Sequence, residues 1–305
     1  MYGRIKQFVL VSCLLLTLLT GCGIGDSLSD KFEIPKKKDS DKISITFGRV
    51  PSETVIMLLR DHAPFIRYLE RKLSIDVQLK FEQSYEKIIE GMNSYQYDMV
   101  LLGPYSYVLS KKTSDYRAIV KPRRYNQDYY RGIIFTHRDY NIDSLEDLRG
   151  KSMAFVDHES TSGYLFPKAL LIEAGIPPNN KNFSRIGFVG RHDEVVRSVY
   201  KKEYTAGATF KGARKTALPE DVSTDVLPIL RKTRKIPTEP IAVSKPFEKK
   251  HPELVKQLTR VLISLHEFKT GQKILEKLGR IDRFKKVKGN EYDKVMEVVD
   301  TIEKK

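Results

Sequence analysis

Three consecutive hydroxyl residues, Ser160-Thr161-Ser162, form the stretch of this sequence best suited to hold a ligand. They follow a short apolar run, Ser152 to Val156, and a polar turn, and they open an apolar-periodic stretch, Thr161 to Ala174, that reads as a helix. The first amides of a helix have no intrahelical partner and carry partial positive charge from the helix dipole. Hydroxyls placed beside such amides make an oxyanion site. A hydroxyl residue there also serves as an ordinary helix cap, and this stretch alone supports both readings. A hydrolytic reading would take Ser160 or Ser162 as nucleophile and His192 as base. The sequence carries no Gly-x-Ser-x-Gly elbow, and the only acid to suggest as orienting group is Asp193, next to His192. Clustered His for a metal site is missing, and no metal, cofactor or catalytic residue is expected.

The elements that must position these hydroxyls alternate along the chain. Strands are expected at Ile43 to Phe47, Val77 to Phe81, Asp98 to Leu102 and Tyr116 to Val120. Helices lie between them at Thr54 to Leu73, which Pro64 should kink or split, at Tyr85 to Met92 and at Tyr105 to Leu109. A second series has strands at Tyr130 to Thr136, Ser152 to Val156, Ile186 to Val189, Thr205 to Thr209 and Val226 to Leu230, with helices at 145–148, 161–174, 193–201 and 211–217. The C-terminal part, 252–268, 271–278 and 291–302, reads as helical. Such repeated alternation predicts two α/β lobes with parallel-rich sheets, whose ligands sit where strand ends lead into helix N-termini.

At 305 residues, 40% hydrophobic, the chain can bury real cores; its formal charge is +15. Two cations, Arg4 and Lys6, and no acid lie in the first 21 residues, leaving +13 on the remainder. Lys and Arg are interleaved with Asp and Glu without a recognisable nucleic-acid motif, so the charge points to a field that draws in anions rather than to nucleic acid. Behind Arg4 and Lys6 comes an apolar run, Phe8 to Leu19, short for a bilayer span, and then Leu19-Thr20-Gly21-Cys22. This resembles a bacterial lipoprotein signal with its lipobox. The resemblance implies removal of residues 1–21 and attachment of a diacylglycerol to Cys22, so that the protein is extracytoplasmic and lipid-anchored to a bacterial membrane. Residues 22–41 read as a tether, and with Cys13 removed no thiol remains for a disulfide.

The ordered set Gly48-Arg49-Val50-Pro51-Ser52-Glu53, Gly103-Pro104-Tyr105-Ser106-Tyr107, Leu145-Glu146-Asp147-Leu148-Arg149-Gly150-Lys151, Ala154-Phe155-Val156-Asp157, Ser160-Thr161-Ser162-Gly163-Tyr164, Gly190-Arg191-His192-Asp193 and Ile236-Pro237-Thr238-Glu239-Pro240-Ile241 resembles the substrate-binding proteins of phosphonate, phosphite or phosphate type ABC importers. The resemblance covers about residue 43 to residue 283. It implies a two-lobed periplasmic-binding-protein fold, type II-like, with two hinge crossovers near Lys121 to Tyr130 and Ile236 to Ile241. Lobe 1 is then 42–125 plus 238–305, and lobe 2 is 126–237. It implies a monomer that binds a small oxyanion and engages ABC permease subunits; a sensor that feeds a signalling receptor is the alternative. Ser160, Thr161 and Ser162 would grip the oxyanion, with a ring hydrogen bond from His192 as imidazolium. Ser52 and Tyr105 would close the site from lobe 1, and Tyr130 would line its wall.

Three positions depart from the family pattern. Thr205 stands where many relatives have Asp, Arg191 where they have a small residue, and Glu159 where the residue is usually neutral. A lost carboxylate and an added cation would disfavour an aminophosphonate relative to phosphite, phosphate or an alkylphosphonate.

Overall fold

The computed structural model describes residues 42–50 and 54–303. The expected signal segment, Cys22, the tether up to residue 41 and Ser52 lie outside the described residues. The first four strands are β1 (Ser44–Arg49), β2 (Asp76–Phe81), β3 (Met99–Leu101) and β4 (Tyr116–Arg123). A short β5 (Tyr129–Tyr130) precedes β6 (Gly132–Thr136), β7 (Ser152–Phe155), β8 (Arg185–Phe188), β9 (Ala206–Phe210) and β10 (Ile229–Lys232). A second short strand, β11 (Ile236–Pro237), leads to β12 (Ile241–Ser244) and β13 (Arg283–Lys286).

These strands form two main sheets, the centres of two lobes, in the orders β13-β4-β12-β3-β1-β2 and β10-β6-β9-β7-β8. In each, parallel pairs occupy one side: β1 with β2 and β3, and β7 with β8 and β9. Antiparallel strands complete the other side. Every residue of β6 and of β12 is buried, as continuous apolar runs inside covered sheets should be. In β1 the inward alternation of Ile45 and Phe47 sets the register.

Helix Val55–Leu73 packs Phe65, Ile66 and Leu69 onto the first sheet. Pro64 does not split it. Proline lacks the amide that would face the Arg60 carbonyl in a regular helix, and the helix runs on because that residue lies on its exposed side. The Leu145 to Leu148 stretch forms only a single 3-10 turn, Glu146–Leu148.

The chain crosses between the sheets twice, and the two crossings run side by side. β5 pairs with β11 antiparallel, Tyr130 opposite Ile236. Thr238 Oγ1 donates to the Pro122 carbonyl at 2.6 Å, and Arg124 pairs with Glu239 at 2.6 Å. The C-terminal segment docks onto both crossings: Glu291 meets the buried ammonium of Lys121 at 2.8 Å, and the Tyr292 hydroxyl donates to the Thr238 carbonyl at 2.8 Å. Helix Asp293–Glu303 then buries Val295 and Val299 against helix Pro104–Ser110 of the first lobe and helix Phe166–Glu173 of the second.

Candidate functional site

The site is built on the carboxyl end of β7. Past Phe155 the chain turns back on itself: Asp157 Oδ1 accepts the Glu159 amide at 3.0 Å, and the Asp157 carbonyl accepts the Ser160 amide at 3.1 Å. Ser160 then caps the following turn, its Oγ accepting the Gly163 amide at 3.1 Å. That turn, Thr161–Leu165, is π-helical rather than the α-helix the periodicity predicts. Pro167 supplies the reason. It has no amide for the Gly163 carbonyl, and its ring would strike that carbonyl in a regular helix. The carbonyl accepts the Val156 amide at 3.2 Å instead. Gly163 has no room for a side chain, since a Cβ would lie 2.3 Å from Val156 Cγ2 and 2.8 Å from Ser160 Oγ.

Ser160, Thr161 and Ser162 are all buried, at 1%, 2% and 3% exposure. The first lobe covers them. Thr161 Oγ1 accepts the Tyr105 amide at 2.8 Å, and Ser106 Oγ donates to the Glu159 carbonyl at 3.1 Å, so the two lobes are closed on one another. Gly103 permits this approach: a Cβ there would lie 3.0 Å from Thr161 Oγ1. The Tyr85 hydroxyl approaches Ser160, and the Tyr130 hydroxyl approaches Ser162 and Thr161. Burial raises both phenol pKa values, which keeps these hydroxyls protonated and able to donate.

His192 begins the helix after β8, next to the same edge. The Val189 and Gly190 amides bond the carbonyls of Phe155 and Val156 at 3.0 and 2.7 Å, which brings the start of that helix beside the hydroxyl turn. On the other side of β7, Ala154 pairs with Gly207, so Thr209 lies level with Val156. The His192 Nδ1 and Thr209 Oγ1 are 2.8 Å apart and bridge the end of β7. The expected imidazolium is corrected here: burial lowers the His192 pKa to about 4, and the ring is neutral at pH 7.

Two departures also take a different meaning. Arg191 is turned to Asp193 Oδ1 at 3.0 Å and Glu194 at 3.5 Å, so its charge is compensated on its own helix. Thr205 lies at the amino end of β9, where its Oγ1 meets Ser152 Oγ at 3.2 Å, at the opposite end of the sheet from the hydroxyl turn. Neither position bears on an aminophosphonate in the way the sequence implied. Asp193 is held by Arg191 and Arg197, and the Nδ1 of His192 is taken by Thr209, so a Ser-His-Asp relay is not assembled. Tyr105 meets Thr161 through its backbone amide. Tyr85 and Thr209 were not singled out by sequence: a tyrosine opening an amphipathic helix and a threonine in a strand look like packing. Among the described residues no group of three or more His, Cys, Asp or Glu could hold a metal, and no helix is long and apolar enough to cross a membrane.

Two lobes closed over buried hydroxyls, beside two paired crossings, define a solute-binding protein. Residues 47–292 match the periplasmic substrate-binding proteins of phosphonate ABC transporters, and the chain belongs to that family. It is 29% identical over 177 residues to the phosphate-import protein PhnD of Mycolicibacterium smegmatis, a match that spans 55% of each chain. It is 25% identical over 215 residues to the phosphonates-binding periplasmic protein of Escherichia coli, covering 68% of this chain and 62% of that one. The fold matches that of PhnD1 from Prochlorococcus marinus, solved in complex with methylphosphonate. The TM-score is 0.77 at 22% identity, over 86% of this chain and 99% of that chain.

Proposed function

We propose that this protein captures a small phosphorus oxyanion, a phosphonate, phosphite or phosphate, outside the cytoplasm and delivers it to an ABC importer as a monomeric lipoprotein anchored through Cys22. The observation that carries the reading is the ring of neutral hydrogen-bonding groups around Thr161: the hydroxyls of Ser160 and Ser162, the phenols of Tyr85 and Tyr130, the Tyr105 amide and, across the end of β7, His192. An oxyanion with three or four oxygens needs many donors converging from several directions, and here they come from both lobes. Binding would hold the lobes, 42–125 plus 238–305 and 126–237, in the closed arrangement. The family name of the importers and the relatives' phosphate, phosphite and phosphonate ligands support the choice of anion.

A hydrogen bond to a charged partner contributes ~1.5 to 3 kcal/mol. Thr161→Ala should weaken binding about ten-fold to one-hundred-fold. Titration calorimetry with phosphate, phosphite and methylphosphonate checks this; equal affinities for wild type and variant place the site elsewhere. Anchoring is tested separately, by fatty-acid labelling that should vanish in Cys22→Ser.

A further inference from the structure

We propose that Thr209 sets the tautomer of His192, so that the ring meets the bound oxyanion as an uncharged N–H donor. The inference rests on the anion-binding reading above. His192 Nδ1 and Thr209 Oγ1 lie 2.8 Å apart, the threonine fully buried and the histidine more than nine-tenths buried. Distance alone does not say which atom gives the hydrogen. The surroundings do.

Among the described residues the Thr209 hydroxyl has no acceptor other than Nδ1. With the hydrogen on Nδ1, the hydroxyl proton would be buried without a partner, and buried donors are seldom left so. The hydroxyl therefore donates and Nδ1 accepts. No carboxylate competes for that nitrogen: Asp193, next in sequence, is engaged by Arg191 at 3.0 Å and by Arg197. The edge-to-face contact with Phe210, 5.0 Å between ring centres, packs the imidazole on a further side.

A neutral imidazole has one hydrogen for its two nitrogens. Burial keeps this ring neutral at pH 7, its pKa lowered to about 4. With Nδ1 accepting, the hydrogen resides on Nε2. That nitrogen has no hydrogen-bond partner among the described residues, and it is not sealed from solvent. Its direction follows from the frame. Thr209 is on β9 and His192 follows β8, with β7 between them; the hydroxyl turn continues from β7 and packs against β9. The two nitrogens of an imidazole point apart, so Nδ1 held against β9 leaves Nε2 facing away from that strand, free for a ligand gripped by the neighbouring turn. The opposite tautomer would present a lone pair, which repels an anionic oxygen and suits only a protonated one. Thr209 thus makes His192 select an oxygen that carries no hydrogen, without burying a positive charge.

Nitrogen-15 NMR of the imidazoles in the ligand-free protein at pH 7 reports the tautomer, with His192→Gln to assign the signal. We expect the hydrogen on Nε2 and a bare Nδ1; a hydrogen on Nδ1 overturns the inference whatever the protein binds. Calorimetry with methylphosphonate tests the consequence. Thr209→Val, close in shape, should weaken binding about ten-fold, and Thr209→Ser, which keeps the hydroxyl, should recover most of that loss. In a His192→Ala background Thr209→Val should change affinity by less than about two-fold, because the threonine acts through the ring. An equal loss in both backgrounds makes Thr209 a packing residue and overturns the inference. If wild type binds no phosphorus oxyanion the functional reading fails, and the ring spectrum still judges the tautomer.

Discussion

At the scale of single residues the proposed site brings together uncharged hydrogen-bonding groups. His192 is buried and neutral, and its unfolded counterpart titrates near 6.5. Below that pH the unfolded chain binds a proton that the folded ring refuses until about pH 4. The His192 contribution is therefore present in full above pH 6.5 and is lost as pH falls from 6.5 towards 4, by roughly 3 kcal/mol at most. His62 behaves alike, since burial and then Arg49 lower its pKa to about 2. We expect the melting temperature of the ligand-free protein to drop across that window, and His192→Gln to flatten the drop. Bound oxyanion should flatten it too, because a negative charge beside the ring favours its protonation. A variant that melts with the wild-type slope would remove His192 from this account. Sequence pointed to Ser160, Thr161, Ser162 and His192 through the ordered set of family motifs, since hydroxyls at a helix start are on their own ordinary caps. Protonation was not legible, because it depends on burial that only the packed lobes create.

At the scale of elements the decisive piece is the π-helical turn. Gly163 lies against Val156, and Gly163→Ala should push the turn off the end of β7. Overpacking of this kind costs about 1 to 3 kcal/mol. We expect a lowered melting temperature and at least ten-fold weaker anion binding, with partial recovery in the double variant Gly163→Ala, Val156→Ala. Failure of the second substitution to help would mean that the strain lies elsewhere, toward Ser160. The strand-helix alternation of both lobes was readable because apolar runs and periodic stretches differ in period. β12 and β13 were not read. Ile241–Ser244 is four residues long and follows Pro240, whereas Arg283–Lys286 shows one apolar residue, Phe284, among three cations. Such an edge strand is held by pairing with β4 rather than by its own pattern.

At the scale of the whole molecule the C-terminal helix joins what the cleft separates. Val295 and Val299 share a buried cluster with Tyr107 and Val108 of the first lobe and Leu165 and Phe166 of the second. Contacts that exist only while the lobes are closed add to ligand affinity without touching the ligand. Val299→Ala removes about 1 to 2 kcal/mol of such packing. We expect five-fold to ten-fold weaker binding with the donors around Thr161 unchanged. Unaltered affinity alongside a lowered melting temperature would show that the helix keeps both contacts in the open form. This bridging was not foreseeable from the periodicity of 291–302, which specifies an apolar face but not which two surfaces it will meet.

The sheet orders also dictate when each half of the molecule can fold. All five strands of the second sheet lie within 132–232, an uninterrupted piece of chain. The first sheet cannot close until residues 241–244 arrive, because β12 fills the gap between β3 and β4. Joining Leu101 to Ile241 requires closing a loop that contains the entire second sheet, and such non-local pairing is slow. The inserted lobe should therefore gain hydrogen-exchange protection first, in β6, β7 and β9. Meanwhile β3 and β4 wait with exposed edges, and that interval is when the newly exported chain is most open to aggregation or proteolysis.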